Sequence, residues 1–394
     1  MFSRRTAWDR ATNRLAERVE QARREGAGYL DLTETNPTRV GITYPASAIL
    51  EALSHPEALE YDPDPQGRLA AREAICQAYA DRGIAVQPED ILLTASTSEA
   101  YAWLFKLLAD PGDEALVPRP SYPLFQYLSG LEGVETIGYP LTLHESWEID
   151  LDALREAVTP KSRAVVVVSP NNPTGNFLKR RELEALAALG AEHGLALVGD
   201  EVFAEYPLVE DSTRAACILQ AEGTLGFSLG GLSKLAGLPQ MKLGWIVIGG
   251  PAGQREEARQ RLEIVADTFL SVGTPVQRAA PALLKSGASI RRGIQARIGA
   301  NLEALKAMVP ETSGCRVLPC EGGWSAVLRV PAIMPEEEWV VSLFEREKVL
   351  VHPGYFFDFP SPAYLVLSLL PREADFRAGV SGILALLGTS GAAG

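Results

Sequence analysis

With 394 residues, 46% of them hydrophobic and 22% charged, the chain has the make-up of a globular protein and enough length for two lobes. A net charge of −13 sets it against nucleic acid and anionic membrane surfaces, which repel an acidic protein. The longest apolar runs, such as "AVVVV", fall far short of the ~20 residues a membrane helix needs.

The opening "MFSRRTAWDR" lacks an apolar signal core, which points to the cytoplasm. An amphipathic helix over residues 8–24 and the polar loop "TETNPTRVG" follow, so residues 1–45 read as an arm that packs on the small lobe or on a second subunit. From residue 46 to 280 short aliphatic runs alternate with helical stretches. "DILLT", "EALVP", "AVVVVS", "LALVGD", "TLGFSL" and "WIVIGG" are the strands. "SEAYAWLFKLLA", a helix from about Tyr122, and "KRRELEALAALGAEHG" closing on Gly194 are helices. Aliphatic strands without strict alternation are buried on both faces, which predicts a mainly parallel sheet covered by helices on each side. Residues 281–394 read as a smaller α+β lobe. Its helices are "PVQRAAPALLKSG", "RRGIQARIGANLEALKAMV" and "PEEEWVVSLFERE"; its strands lie near "GWSAVLRV", "VLVHPG" and "YLVLSLL". The tail "GTSGAAG" reads as loose. Cys76, Cys217, Cys315 and Cys320 include no CxxC pair, and the four histidines are scattered. A metal site is not expected, and the thiols read as reduced.

In open α/β sheets ligands bind beyond the carboxyl ends of the strands. Four polar signals fall there. Ser96, Thr97 and Ser98 start a helix, where free N–H groups suit a phosphate or where a serine simply caps the helix. Asn172 precedes a proline, which holds it extended; the stretch "PNNPTG" is also ordinary turn chemistry. Asp200 ends a buried strand, where a carboxylate needs a cation or a loop to cap. Lys234 sits in the apolar, glycine-rich run "GGLSKLAGLPQMKLGW". It is either a desolvated amine able to attack a carbonyl or a loop lysine snorkelling to water.

Taken together, "NNPTG", "GDEVF" and "LSKLAGLPQMKLGW", with "EYDPDPQGRLAAREAI" and "PRPSYPLF" upstream, resemble the class I/II aminotransferases, enzymes of fold type I that use pyridoxal 5′-phosphate. The resemblance runs from about Tyr61 to Leu369 and implies a large domain with a mainly parallel sheet plus a smaller α+β domain. It implies that Lys234 holds the cofactor as a Schiff base and shuttles a proton, and that Asp200 pairs with the pyridine nitrogen. Asn172 would donate to the phenolic oxygen and Tyr122 would stack on the ring. Ser96, Thr97, Ser98, Ser233 and Lys242 would hold the phosphate. Tyr61 would reach the phosphate of a neighbouring subunit, which requires a homodimer.

Four positions depart from the family pattern. Phe203 stands where many relatives have tyrosine, which leaves Asn172 as the main donor to the phenolic oxygen. Lys242 replaces an arginine, giving a point charge in place of a planar fork. Gly231 replaces a serine. Val366, in "YLVLSLL", stands where the family often carries the arginine that grips the substrate carboxylate. Arg39 and Arg372 are the candidate substitutes, Arg39 first because N-terminal loops of the family cover the substrate. The resemblance implies an amino-group transferase acting on amino and oxo acids. A β-elimination lyase, decarboxylase or cyclising enzyme on the same fold is the alternative, and a non-catalytic sensing module is a remote one.

Overall fold

The computed structural model describes residues 1–390 apart from Arg10 and Pro362. The arm holds α1 (Arg14–Glu25) and the short strand β1 (Leu30–Asp31), followed by α2 (Ala46–Leu53) and α3 (Leu69–Ala80). α1 ends at Gly26, whose left-handed backbone supplies the turn. β1 pairs in parallel with β12 (Val349–Leu350), and Arg18 meets Glu345 at 2.8 Å. The arm therefore packs on the small lobe.

The large lobe is an eight-stranded sheet: β2 (Ile91–Thr94), β3 (Glu114–Arg119), β4 (Glu135–Leu143), β5 (Trp147–Ile149), β6 (Ser162–Val168), β7 (Ala196–Asp200), β8 (Gly226–Gly231) and β9 (Gly244–Gly249). Their order is β2-β9-β8-β7-β6-β3-β4-β5. The strands β8, β7, β6, β3 and β4 run parallel, while β9 runs antiparallel to both β8 and β2. Every expected strand is present. β4 and β5 were not expected: glycine, proline and polar residues interrupt β4, and β5, at the sheet edge, is only three residues long. Helices α4 (Thr97–Leu108), α5 (Phe125–Glu132), α6 (Leu151–Ala157), α7 (Arg180–His193) and α9 (Ala252–Phe269) cover the sheet, and the one-turn α8 (Leu232–Leu235) follows β8.

The small lobe has a four-stranded sheet, β10 (Arg316–Val317), β11 (Ser325–Arg329), β14 (Tyr364–Ser368) and β13 (His352–Pro353), in that order. α11 (Glu336–Glu347) and α12 (Glu373–Ser390) lie against it; residues 391–394 of the tail lie outside the described residues. The two helical stretches expected after Pro275 are one helix, α10 (Thr274–Met308). Gly287 looked like a helix stop in sequence. A Cβ there would stand 2.4 Å from the Ala236 Cβ, so the glycine admits a close approach rather than ending the helix. We propose that the lobes divide near residues 45 and 280. α10 crosses the second boundary without a break, so the small lobe is carried on a helix rooted in the large one.

Candidate active site

Lys234 lies in α8, just past the carboxyl end of β8; Asp200 ends β7, the next strand. Burial pushes the Lys234 amine down to about 8, with Asp200 pulling the other way. Burial likewise pushes Asp200 up to about 6, against hydrogen bonds from the Val202 N–H (3.3 Å) and the Tyr101 hydroxyl (3.1 Å) and the charge of Lys234. The charged form of each group thus costs on the order of 3 kcal/mol. The pair forms because the sequence ends one buried strand on a carboxylate and follows its neighbour with a lysine.

Aromatic rings wall the lysine. Its Nζ lies 4.6 Å from the ring centre of Trp324 and 5.3 Å from that of Phe203. Trp324 meets Phe203 and Tyr206 edge to face, at 5.3 and 5.1 Å. The Tyr206 hydroxyl donates to the Lys234 carbonyl at 2.6 Å. Asn172 is held from the small lobe: Ser325 Oγ donates to its Oδ1 at 3.3 Å. Its neighbour Asn171 is buried and accepts from Ser121 Oγ at 2.9 Å, fixing the loop before Tyr122. Tyr122 leaves 45% of its surface to solvent. Crowding, then the charge of Asp200, nonetheless pushes its phenol up, which puts it on the Asp200 side of the pocket.

Ser96 caps α4, its Oγ accepting from the Glu99 N–H at 3.2 Å, and Glu99 reaches back to the Ala95 N–H. This leaves the Thr97 and Ser98 N–H groups at the helix mouth without an acceptor among the described residues. Gly244 lies directly against that turn: a Cβ there would stand 3.0 Å from the Ser96 carbonyl carbon and 3.1 Å from the Thr97 nitrogen. Lys242, two residues earlier, is exposed and held at φ 50° and ψ 55°. That left-handed backbone costs a lysine about 1 kcal/mol. Ser233 is half-buried beside Lys234. At Gly231 a Cβ would stand 3.2 Å from the Leu243 carbonyl oxygen, so a serine there would need that carbonyl to give by a few tenths of an ångström.

The remaining expected residues stand apart. Tyr61 is 81% exposed and lines a crevice with Gly67, Trp103 and Thr274. Arg39 is largely exposed and pairs with Glu34 at 3.9 Å. Arg372 is also exposed, its guanidinium lying against Gly41. Tyr101, Tyr206, Trp324 and Ser325 went unnoticed in sequence. Tyr101 alone had a signal, lying one helical turn after Thr97 on α4.

A half-buried acid and amine at the carboxyl edges of adjacent parallel strands, beside an open helix mouth, suit amine and carbonyl chemistry. The family model of aminotransferase class I and II matches residues 30–377. Glutamate-pyruvate aminotransferase AlaA of Escherichia coli K12 is 28% identical, over 93% of this chain and 91% of its own. Alanine aminotransferase of Mycobacterium tuberculosis H37Rv is 29% identical, over 90% of this chain and 85% of its own. The crystal structure of an aminotransferase from E. coli superposes with a TM-score of 0.85 at 26% identity, covering 98% of both chains. The chain belongs to aminotransferase class I and II. It is an enzyme that transfers amino groups.

Proposed function

We propose that this enzyme uses pyridoxal 5′-phosphate to move an amino group between an amino acid and a 2-oxo acid in two half-reactions. The observation that carries this reading is the placement of Lys234 and Asp200 at the ends of adjacent strands, an amine lowered to about 8 and a carboxylate that stays ionised above pH 6. When bound, the cofactor supplies a carbonyl for amine condensation and a protonated ring that withdraws electrons from the substrate. Asp200 would hold the ring nitrogen in its protonated form. Lys234 Nζ, about half neutral at pH 8, would be the amine that holds the cofactor and would carry the proton exchanged at the substrate Cα. Phe203 and Trp324 exclude water around that amine. Thr97, Ser98 and the start of α4 suit the phosphate through N–H groups and helix dipole, joined by Ser96, Ser233 and Lys242. Asn172 and Tyr122 orient the ring.

A homodimer with composite sites fits the surface. Leu50, Leu59, Tyr61, Leu69 and Phe269 are all more than half exposed. Adjoining crevices join α2, the Tyr61 loop, the start of α3 and the end of α9 into one face. An apolar face of that kind calls for a partner, and a second subunit would bring Tyr61 to the neighbouring phosphate. The acidic surface and the enzyme class fit a cytoplasmic protein; no described helix is long and apolar enough to cross a membrane.

Incubating the holoenzyme with a panel of amino acids tests the reading. Accumulation of pyridoxamine phosphate with release of the matching oxo acid is expected. Ammonia release with a pyruvate-type product would replace the transferase by a lyase. Lys234→Ala should abolish turnover, while Lys242→Ala should leave turnover and weaken cofactor retention through gel filtration. Full retention in Lys242→Ala would remove Lys242 from the phosphate site.

A further inference from the structure

We propose that His352 is the hydrogen-bond donor that receives the substrate carboxylate, reaching the pocket from the strand beside Val366. The inference rests on the transferase reading above and adds the residue that binds the substrate.

Val366 on β14 stands where the resemblance places a carboxylate-binding arginine, yet it is apolar and 2% exposed. Its register partners are Val327 on β11 and His352 on β13. Paired residues of an antiparallel ladder project from the same face with Cβ atoms about 4.5–5.5 Å apart. His352 therefore emerges one strand away from the expected arginine, on the same side of the sheet.

That face looks onto the pocket. Two residues along it lies the pair Ser325–Ser368, and Ser325 Oγ is bonded to Asn172. His352 itself is half-buried rather than sealed. Its ring lies 5.8 Å from those of Phe356 and Phe357, and the Phe357 carbonyl accepts the Ser121 N–H at 2.9 Å. The wall that contains His352 thus continues to the residue before Tyr122.

Burial disfavours the imidazolium more than Asp31 on β1 restores it, so His352 meets a ligand mainly as a neutral ring with one N–H to donate. Asp31 is itself fixed, its Oδ1 accepting from Thr33 N–H (2.8 Å) and Thr33 Oγ1 (2.6 Å). An arriving carboxylate acts in the same direction as Asp31, favouring a proton on His352 when the substrate binds. The other candidate cations lie at the surface: Arg39 is exposed, 3.9 Å from Glu34, and Arg372 is exposed beside Gly41.

The test measures KM and kcat for the best amino donor in wild type, His352→Val, His352→Gln and Arg39→Ala holoenzymes. His352→Val is expected to raise KM about 10- to 100-fold, the loss of a charge-assisted hydrogen bond, with kcat changed severalfold at most. His352→Gln, which keeps an N–H donor, should fall between, and it stands in if His352→Val does not fold. Retained cofactor and an unchanged melting temperature separate a binding defect from a structural one. Unchanged KM in both His352 variants beside an active wild type overturns this inference alone, as does Arg39→Ala reproducing the rise by itself. A wild type that turns over no amino acid overturns the transferase reading and this inference with it.

Discussion

At the scale of single residues the chemistry depends on two groups whose titration is moved toward neutrality. Desolvation lowers the Lys234 amine to about 8, and Asp200 opposes that by stabilising the ammonium. The sign is testable in the cofactor-free protein. An amine reacts only when neutral, so trapping of pyridoxal on Lys234 by borohydride should rise through pH about 8 rather than near the ordinary lysine value of 10.5. Asp200→Asn removes the carboxylate that holds the ammonium, so the midpoint should move further down. Peptide mapping of the label across pH gives both midpoints. A wild-type midpoint above 10, or an upward move in the variant, would show that the geometry has been misread. The same two groups shape stability. Between pH 3.8 and about 6 the folded Asp200 holds protons the unfolded chain has lost, so stability falls as pH rises. Between about 8 and 10.5 the folded Lys234 has already released its proton, so stability rises with pH. The cofactor-free protein is therefore expected to show a trough between pH 6 and 8, where both groups are charged.

At the scale of elements the lysine is only as well placed as α10, which lies under its loop. The Tyr44 hydroxyl holds the Gly237 carbonyl at 2.7 Å, and a Cβ at Gly237 would stand 2.6 Å from Ile290 Cγ2 on α10. Gly287, one turn earlier on α10, admits Ala236, two residues past Lys234, at a spacing no side chain allows. Two effects compete in Gly287→Ala. Helix propensity favours alanine by about 1 kcal/mol, while overpacking costs about 1–3 kcal/mol. The clash falls on the Ala236 Cα as well as its methyl, so neither partner can swing aside and overpacking prevails. Calorimetry should show a lower melting temperature, and cofactor affinity should fall as the Lys234 loop shifts. A rise in melting temperature would mean that α10 and α8 separate freely. This glycine also marks where sequence reading stops. Lys234, Asp200 and Asn172 are legible because a polar group at the end of an aliphatic run has few reasons to be there. Gly287 reads as a helix stop because its reason is a contact over fifty residues away in the chain. Trp324 reads as core, since a tryptophan after two glycines carries no sign that it will face a lysine. β4 and β5 are hidden because edge strands do not need continuous aliphatic residues.

At the scale of the whole molecule one junction within the chain shapes the pocket, and a second, between subunits, is the proposal to be tested. Within the chain, Lys179 Nζ sits 2.7 Å from both Asp211 and Glu321 and is nearly buried. Glu321 also takes the Phe177 N–H at 3.3 Å, tying the strand that carries Trp324 and Ser325 to the loop that carries Asn172. The small lobe therefore cannot drift without taking two walls of the pocket with it. Beyond the chain, Tyr61 is the test of a shared site. It is exposed, and its crevice lies apart from Lys234, so a role at the phosphate requires another subunit's pocket. Lys234→Ala has no base at its own site but presents an intact Tyr61. Tyr61→Ala has an intact lysine but presents no tyrosine, and should retain cofactor poorly. If Tyr61 acts across the interface, mixing the two under conditions that exchange subunits rebuilds one complete site per hybrid dimer. Its lysine comes from one chain and its tyrosine from the other. Activity and cofactor retention should then rise above the sum of the separate variants, in step with the fraction of hybrid measured by native mass spectrometry. If Tyr61 serves its own chain, the hybrid has no complete site and activity stays at that sum however far exchange proceeds.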